Sequence, residues 1–201
     1  DGCVGKEWLM RQIGCIPTHK FVSATALVKD MMYTVRTLKS SILLYPEASY
    51  SFDGTSPTPL PESLGKCIKL LKVPVVMIRT YGAFQRDPLY NLLKLRNVDV
   101  SADMEYLLSP EEIASLTSDD INSLVSSRFA FDHFQWQKEN GIEVKENFRT
   151  DGLCSVLYKC PKCGKEGVME SGGEEIWCSS CAKKWRMEED GSLKAMDGDD
   201  I

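Results

Sequence analysis

Four cysteines near the end of the chain carry its clearest chemistry. Cys160 and Cys163 form one C-x-x-C pair, Cys178 and Cys181 form a second, and 14 residues separate the two. Two residues between cysteines let both thiolates of a tight knuckle face one ion. Gly164 permits the turn after the first knuckle. The spacer is long enough for a hairpin that returns the second knuckle to the first. Four thiolates make a closed, structural site with no open position for substrate, the arrangement expected of zinc(II). Iron in a rubredoxin-like electron carrier uses the same ligand set, so zinc and iron both stay open. Cys3, Cys15, Cys67 and Cys154 are scattered and fit no knuckle. Lone thiols beside two C-x-x-C pairs argue for a reducing compartment and a metal rather than a disulfide framework.

The second candidate is a carboxylate. In "LYPEASYSFDG" an apolar run, Ser41 to Tyr45, stops at Pro46, and Glu47 follows at once, with Ala48 and Ser49 behind it. In an open α/β sheet, ligands bind beyond the carboxyl ends of the strands. A carboxylate there can accept hydrogen bonds from the hydroxyls of a polyol. Taken by itself, Glu47 is equally a surface or capping residue.

The elements that must position these residues follow from periodicity. Residues 6–12 read as a helix end and "IGCIPTH" as a short strand. Ser23 opens a helix whose apolar positions are Ala24, Leu27, Val28, Met31, Val35 and Leu38. "SILLY" reads as a strand. Pro61 and Glu62 open a helix with Leu64, Cys67, Ile68 and Leu71 on one face, and "VPVVMIRT" is the next strand. Strand, helix, strand, helix, strand predicts an α/β fold, mainly a parallel sheet with flanking helices. "NVDVSADMEYL" alternates as a strand with one solvated face. "SPEEIASL" and "TSDDINSLVSSRFAFDHF" carry helix-start chemistry, and "QKENGIEVKENFRTDG" reads as a linker. The expected organisation is an α/β domain over 1–108, a helical connector and linker over 109–152, a small all-β zinc ribbon over 153–195 and a disordered acidic tail over 196–201.

Composition bounds the function. The chain has 201 residues, 43% of them hydrophobic and 26% charged, with a net charge of -5. Residues 151–201 hold 7 Lys and Arg against 11 Asp and Glu, a net of -4. This acidity argues against nucleic acid as a partner, and it makes Trp177 and Trp185 core residues rather than a base-stacking platform. No apolar run approaches the roughly 18 residues of a spanning helix. "DPLYNLLKL" either touches a bilayer surface or forms an internal helix. Arg79 either lines a site or projects from the end of its strand.

Four blocks in order carry a resemblance. They are Gly14 to Lys20 ("GCIPTHK"), Tyr45-Pro46-Glu47-Ala48-Ser49-Tyr50-Ser51 followed by "FDG", Pro61 to Gly65 ("PESLG"), and Val73-Pro74-Val75-Val76-Met77. Together they resemble the glycerolipid acyltransferase family, which includes 1-acylglycerol-3-phosphate acyltransferases. The corresponding family blocks are G-x-x-x-x-x-R, F-P-E-G-T-R-S, P-F-K-K-G and V-P-V-V-P. The resemblance covers about a third of the chain. It implies that Glu47 and Ser49 hold a glycerol backbone, with Gly14, Pro46 and Ala48 in the same binding blocks, and that Lys20 meets the phosphate. The family has Arg there, which grips phosphate bidentately, whereas Lys acts as a point charge. Ala48 stands where the family has Gly, and Tyr50 where it has Arg.

The family's first block is H-x-x-x-x-D, in which His takes the proton of the acceptor hydroxyl and Asp orients it. After His19 that pattern needs Asp at position 24 and meets Ala24, and after His133 it needs Asp at 138 and meets Lys138. The catalytic pair is therefore expected upstream of residue 1, and these 201 residues alone are expected to catalyse nothing. The resemblance implies a phospholipid-synthesis enzyme in the cytoplasm, peripheral at the inner membrane face. It would move a fatty acyl group from acyl-CoA or acyl carrier protein to a lysophosphatidate-type acceptor. The alternative is a non-catalytic binding or regulatory protein that uses the ribbon as its interaction module.

Overall fold

The computed structural model describes residues 5–16, 25–47, 51–55 and 60–198. They contain seven α-helices and six strands, and the chain divides into two compact units. One unit takes residues 1–48, 59–76 and 106–125; the other takes 49–58, 77–105 and 126–201.

The first unit is helical. It holds α1 (Lys6–Gln12), α2 (Thr25–Arg36), α3 (Ser63–Leu71) and α5 (Pro110–Ser115), together with the start of α6 (Ser118–Phe129). Met31, Leu64, Ile68, Leu108, Ile113, Ile121 and Val125 are its buried side chains. Helix starts are set by local chemistry. Ser109 and Glu112 form a full capping box on α5, the Ser109 hydroxyl accepting from the Glu112 N–H and the Glu112 carboxylate from the Ser109 N–H. Asn122 of α6 accepts the Gly65 N–H at 2.7 Å and donates to the Glu62 carbonyl, which satisfies orphan groups at the start of α3. A side chain at Gly65 would run into the Ser118 carbonyl, so α3 and α6 approach this closely only because the residue is glycine.

The expected parallel sheet is not present. The strands form two small antiparallel sheets, one of β1 (Val75–Tyr81) and β2 (Ser101–Leu108), the other of β3 (Met169–Gly172), β4 (Glu175–Cys178), β5 (Lys184–Met187) and β6 (Leu193–Ala195). The backbone after β1 explains the first. Gly82 takes a φ of +77° and lies so close to the Asp99 carbonyl that a Cβ would overlap it. The chain therefore leaves β1 and returns beside its end, which makes β2 antiparallel. Between the two strands lie only α4 (Ala83–Arg86) and a 3-10 turn, Leu89–Asn91, too little helix for a parallel crossover. "SILLY" forms no strand either. Residues 41–47 carry no regular secondary structure, and Leu43 and Leu44 are exposed. Of "IGCIPTH", residues 13–16 form the turn and coil after α1, and 17–19 lie outside the described residues.

The second unit packs the four-stranded sheet against earlier chain. The order β3-β4-β5-β6 is a simple antiparallel meander, with Ile176 opposite Trp185 and Met187 opposite Leu193. Alternation places Ile176 and Cys178 of β4 and Trp185 and Met187 of β5 inward. That face shares one core with Phe84, Tyr90 and Leu153. The polar stretch read as a linker enters the interior at four points: α7 (His133–Glu139) begins before it, and Gln137, Val144, Arg149 and Thr150 are buried. Each buried polar group among them meets backbone. Gln137 donates to the Ile142 and Glu189 carbonyls, Arg149 to the Met187 carbonyl at 2.7 Å, and Thr150 to those of Gly173 and Glu175. Buried polar groups are tolerated only when paired in this way.

Arg96 is buried in this network, 4% exposed. Its guanidinium donates to the Asn91 side-chain oxygen, the Tyr90 hydroxyl and the Gln85 and Arg149 carbonyls, all neutral oxygens. Only a planar fork reaches such a set at once. Arg96→Ala is expected to destabilise the protein by about 3 kcal/mol or more, because it leaves several buried acceptors unpaired. Arg96→Lys should recover little of the loss. Urea unfolding of the three proteins checks both outcomes.

Candidate metal centre

The two C-x-x-C pairs sit at matching corners of the four-stranded sheet. Cys160 and Cys163 lie on the turn before β3, while Cys178 ends β4 and Cys181 lies on the turn into β5. The two turns are built alike. In the first, the Cys160 N–H donates to the Lys165 carbonyl, the Gly164 N–H returns to the Cys160 carbonyl, and the Cys163 N–H points at the Cys160 sulfur at 3.5 Å. In the second, the Cys178 N–H donates to the Lys183 carbonyl, the Ala182 N–H returns to the Cys178 carbonyl, and the Cys181 N–H points at the Cys178 sulfur at 3.5 Å. Gly164 has a φ of +70° and Ala182 a φ of +60°. The second knuckle thus asks a residue with a Cβ to take the left-handed conformation that glycine supplies in the first. C-x-x-C spacing finds the ligands; the matching N–H groups and Ala182 become visible only in the folded turns.

All four sulfurs lie within 4.8 Å of one another. Cys160 Sγ is 3.7 Å from Cys181 Sγ, and Cys163 Sγ is 3.8 Å from Cys178 Sγ. A tetrahedral ion with bonds of ~2.3 Å to sulfur requires sulfur–sulfur edges of about 3.8 Å. The thiols therefore already stand at ligation distance, far outside the length of a disulfide bond. Cys160 and Cys178 are buried, and Cys181 faces solvent. Burial pushes the Cys160 thiol up to about 11. Burial acts the same way on Cys178, but the N–H groups of Cys181 and Ser180 and the hydrogen bonds from the Cys181 and Cys160 thiols outweigh it and bring it to about 7. Ligation requires the thiolate form, so a cation bound here would displace the thiol protons. The arrangement can hold a metal ion and leaves no ligand position open.

The acceptor-site candidates lie apart from this cluster in sequence and belong to the opening segments. Glu47 is half-buried at the end of the irregular segment 41–47, and burial raises its carboxyl above the ordinary glutamate value. Pro46 beside it is half-buried, and Gly14 is exposed in the turn after α1 with a φ of +80°. Lys20, Ala48 and Ser49 lie outside the described residues. Arg79 turns its head to the Arg128 carbonyl and the face of Phe131, 5.4 Å from the ring centre. Trp185 is in the core and Trp177 is half-buried. Comparison of the chain with family models, with curated proteins and with solved structures finds no match.

Two outcomes are expected. Chelation of the metal, or Cys160→Ser, should abolish cooperative unfolding of the unit that contains Trp185, read by its fluorescence, and a metal-release assay should find one ion per chain. Ala182→Gly should raise the stability of the metal-loaded protein by about 1 kcal/mol, because it relieves a left-handed alanine. A thermal melt of both proteins measures that change.

Proposed function

We propose that the chain is the acceptor-binding portion of an acyltransferase that acts on a glycerol phosphate, and that its four cysteines hold a structural zinc ion. The observation that carries the reading is the order of the four blocks, Gly14 to Lys20, Tyr45 to Ser51, Pro61 to Gly65 and Val73 to Met77. Local structure supports it at three of them. "PESLG" opens α3, the fourth block runs into β1, and Glu47 has its carboxylate partly withdrawn from water. A carboxylate so placed gives up fewer water contacts when it accepts hydrogen bonds from a polyol. Lys20 supplies a point charge for the phosphate.

In the reaction, a hydroxyl of the acceptor attacks the carbonyl of an acyl thioester. A base takes the hydroxyl proton, the new ester forms, and the thiol of coenzyme A or acyl carrier protein leaves. Neither histidine of these 201 residues has an Asp at the required spacing. The groups present here therefore bind and orient the acceptor, while the general base is a residue outside this set. That same observation favours a second reading, a non-catalytic protein that uses the ribbon to bind a partner. Zinc is favoured over iron because the proposed acyl transfer needs no redox group, and a structural zinc ion is redox-inert.

The test uses the protein expressed from its natural start codon, with lysophosphatidate as acceptor and acyl-CoA or acyl carrier protein as donor. Transfer is expected. Glu47→Gln should lower kcat/KM for the acceptor by roughly tenfold to a hundredfold, the worth of a hydrogen bond to a charged group, with an unchanged circular dichroism spectrum. No transfer to any glycerol phosphate acceptor would establish the second reading instead. A red protein with visible absorbance would replace zinc by iron.

A further inference from the structure

Residues 51–55 form a strap that lies against the start of α7. The His133 N–H donates to the Gly54 carbonyl at 2.8 Å, and Thr55 pairs with Asp132 as an isolated antiparallel bridge. Gly54 rests directly on aromatic rings. With a φ of +77°, it would bring a Cβ within 2.8 Å of Phe84 and 3.0 Å of Phe134. The strap is therefore fitted to this one place by a glycine and two backbone contacts.

His133 carries the contact, and its ring is held on several sides. It stacks on Phe84 with centroids 5.2 Å apart and meets Phe131 edge-on at 4.8 Å. Its carbonyl accepts from the side chain of buried Gln85 at 2.6 Å. Its Nδ1 is buried with no hydrogen-bond partner among the described residues. A bare nitrogen is tolerated there. A second proton on the ring would leave a buried charge beside an unpaired N–H. The Phe84 face attracts an imidazolium, but less than that burial costs. The His133 pKa is accordingly lowered by burial, and the Asp132 carboxylate opposes the shift without cancelling it. The other charged groups on the packed elements are engaged elsewhere or exposed. Asp53 of the strap accepts from Ser51 and Thr55, Arg86 of α4 donates to the Val98 carbonyl and Arg79 of β1 to that of Arg128. Asp87 after α4 is exposed, and Lys138 and Glu139 lie at the far end of α7.

We infer that His133 is an acid-sensitive latch: neutral, it holds the strap 51–55 on α7, and protonated, it lets the strap go. The sign follows from linkage. A ring freed from this packing takes the ordinary histidine value near 6.5, whereas the docked ring resists the proton. Docking is therefore at full strength above about pH 6.5 and weakens as pH falls below it. The strap continues directly from the block Tyr45 to Ser51, so acid loosens the segment into which that block leads. The inference goes beyond the acyl-transfer reading, because its evidence is the contact of His133 and its test reads no activity.

The experiment is amide hydrogen exchange at position 133, read by NMR on the metal-loaded full chain and corrected for the intrinsic rate at each pH. It runs from about pH 8 to about pH 5, the interval in which histidine changes charge, and compares wild type with His133→Phe. Phenylalanine keeps a ring against Phe84 and cannot take a proton. Wild-type protection is expected to fall below about pH 6.5 by more than about twofold, and by at most about tenfold per pH unit, the limit for one proton. His133→Phe should hold level. A level wild-type profile overturns the inference. So does a fall that His133→Phe shares, which would assign it to the cysteine cluster or another group. The imidazole C–H resonances give a reading that needs no variant, since the chain has only two histidines, His19 and His133. His133 is expected to titrate below the ordinary histidine value, and titration at or above it overturns the inference as well.

Discussion

Four sulfurs held within 4.8 Å of one another are the constraint around which the second unit is organised. Thiols up to 21 residues apart in sequence meet here, although burial pushes Cys160 away from ionisation. A bound cation would convert such a group into a closed set of thiolates. The consequences spread through the sheet. Fixing Cys178 at the end of β4 sets the register that places Ile176 beside Trp185. The inner face formed in this way is the surface on which Phe84, Tyr90 and Leu153 pack.

A free-standing ribbon of this size would have little core of its own. Here it borrows one. Phe84 of α4, Tyr90 and Leu153 complete the core, and buried polar side chains join the sheet to the preceding chain through backbone carbonyls. Arg149 reaches the end of β5, Thr150 reaches the β3–β4 turn, and Arg96 sits behind both. The metal site and the loop that exposes Leu92 and Leu93 therefore hang on one continuous framework inside the second unit. Asp151 shows the economy of it: one oxygen takes the Lys94 ammonium of the loop and the other the Gly173 N–H of the β3–β4 turn.

Helix starts and the metal ligands were legible because their chemistry is local. A capping box needs Ser109 and Glu112 three residues apart, and a knuckle needs two cysteines three positions apart. Strands were harder to read. "SILLY" and "VPVVMI" look alike as apolar runs, yet only the second finds a ladder partner. The polar stretch 137–152 hid its role for the opposite reason: Gln137, Arg149 and Thr150 are hydrophilic by type and interior by placement. Lys20, Ala48 and Ser49, on which the acceptor site depends, lie outside the described residues, so that part of the proposal rests on block order and on Glu47.

The amino-acid order by itself determined which cysteines form a cluster, where most helices begin and which segments alternate as strands, because each depends on contacts within a few positions of the chain. Only the tertiary structure decided that β1 and β2 run antiparallel, that a hydrophilic segment enters the core and that Leu92 and Leu93 stay outside it. Those outcomes depend on which distant carbonyl, ring or strand end arrives alongside, as Asp99 does at Gly82. Periodicity carries no record of that arrival.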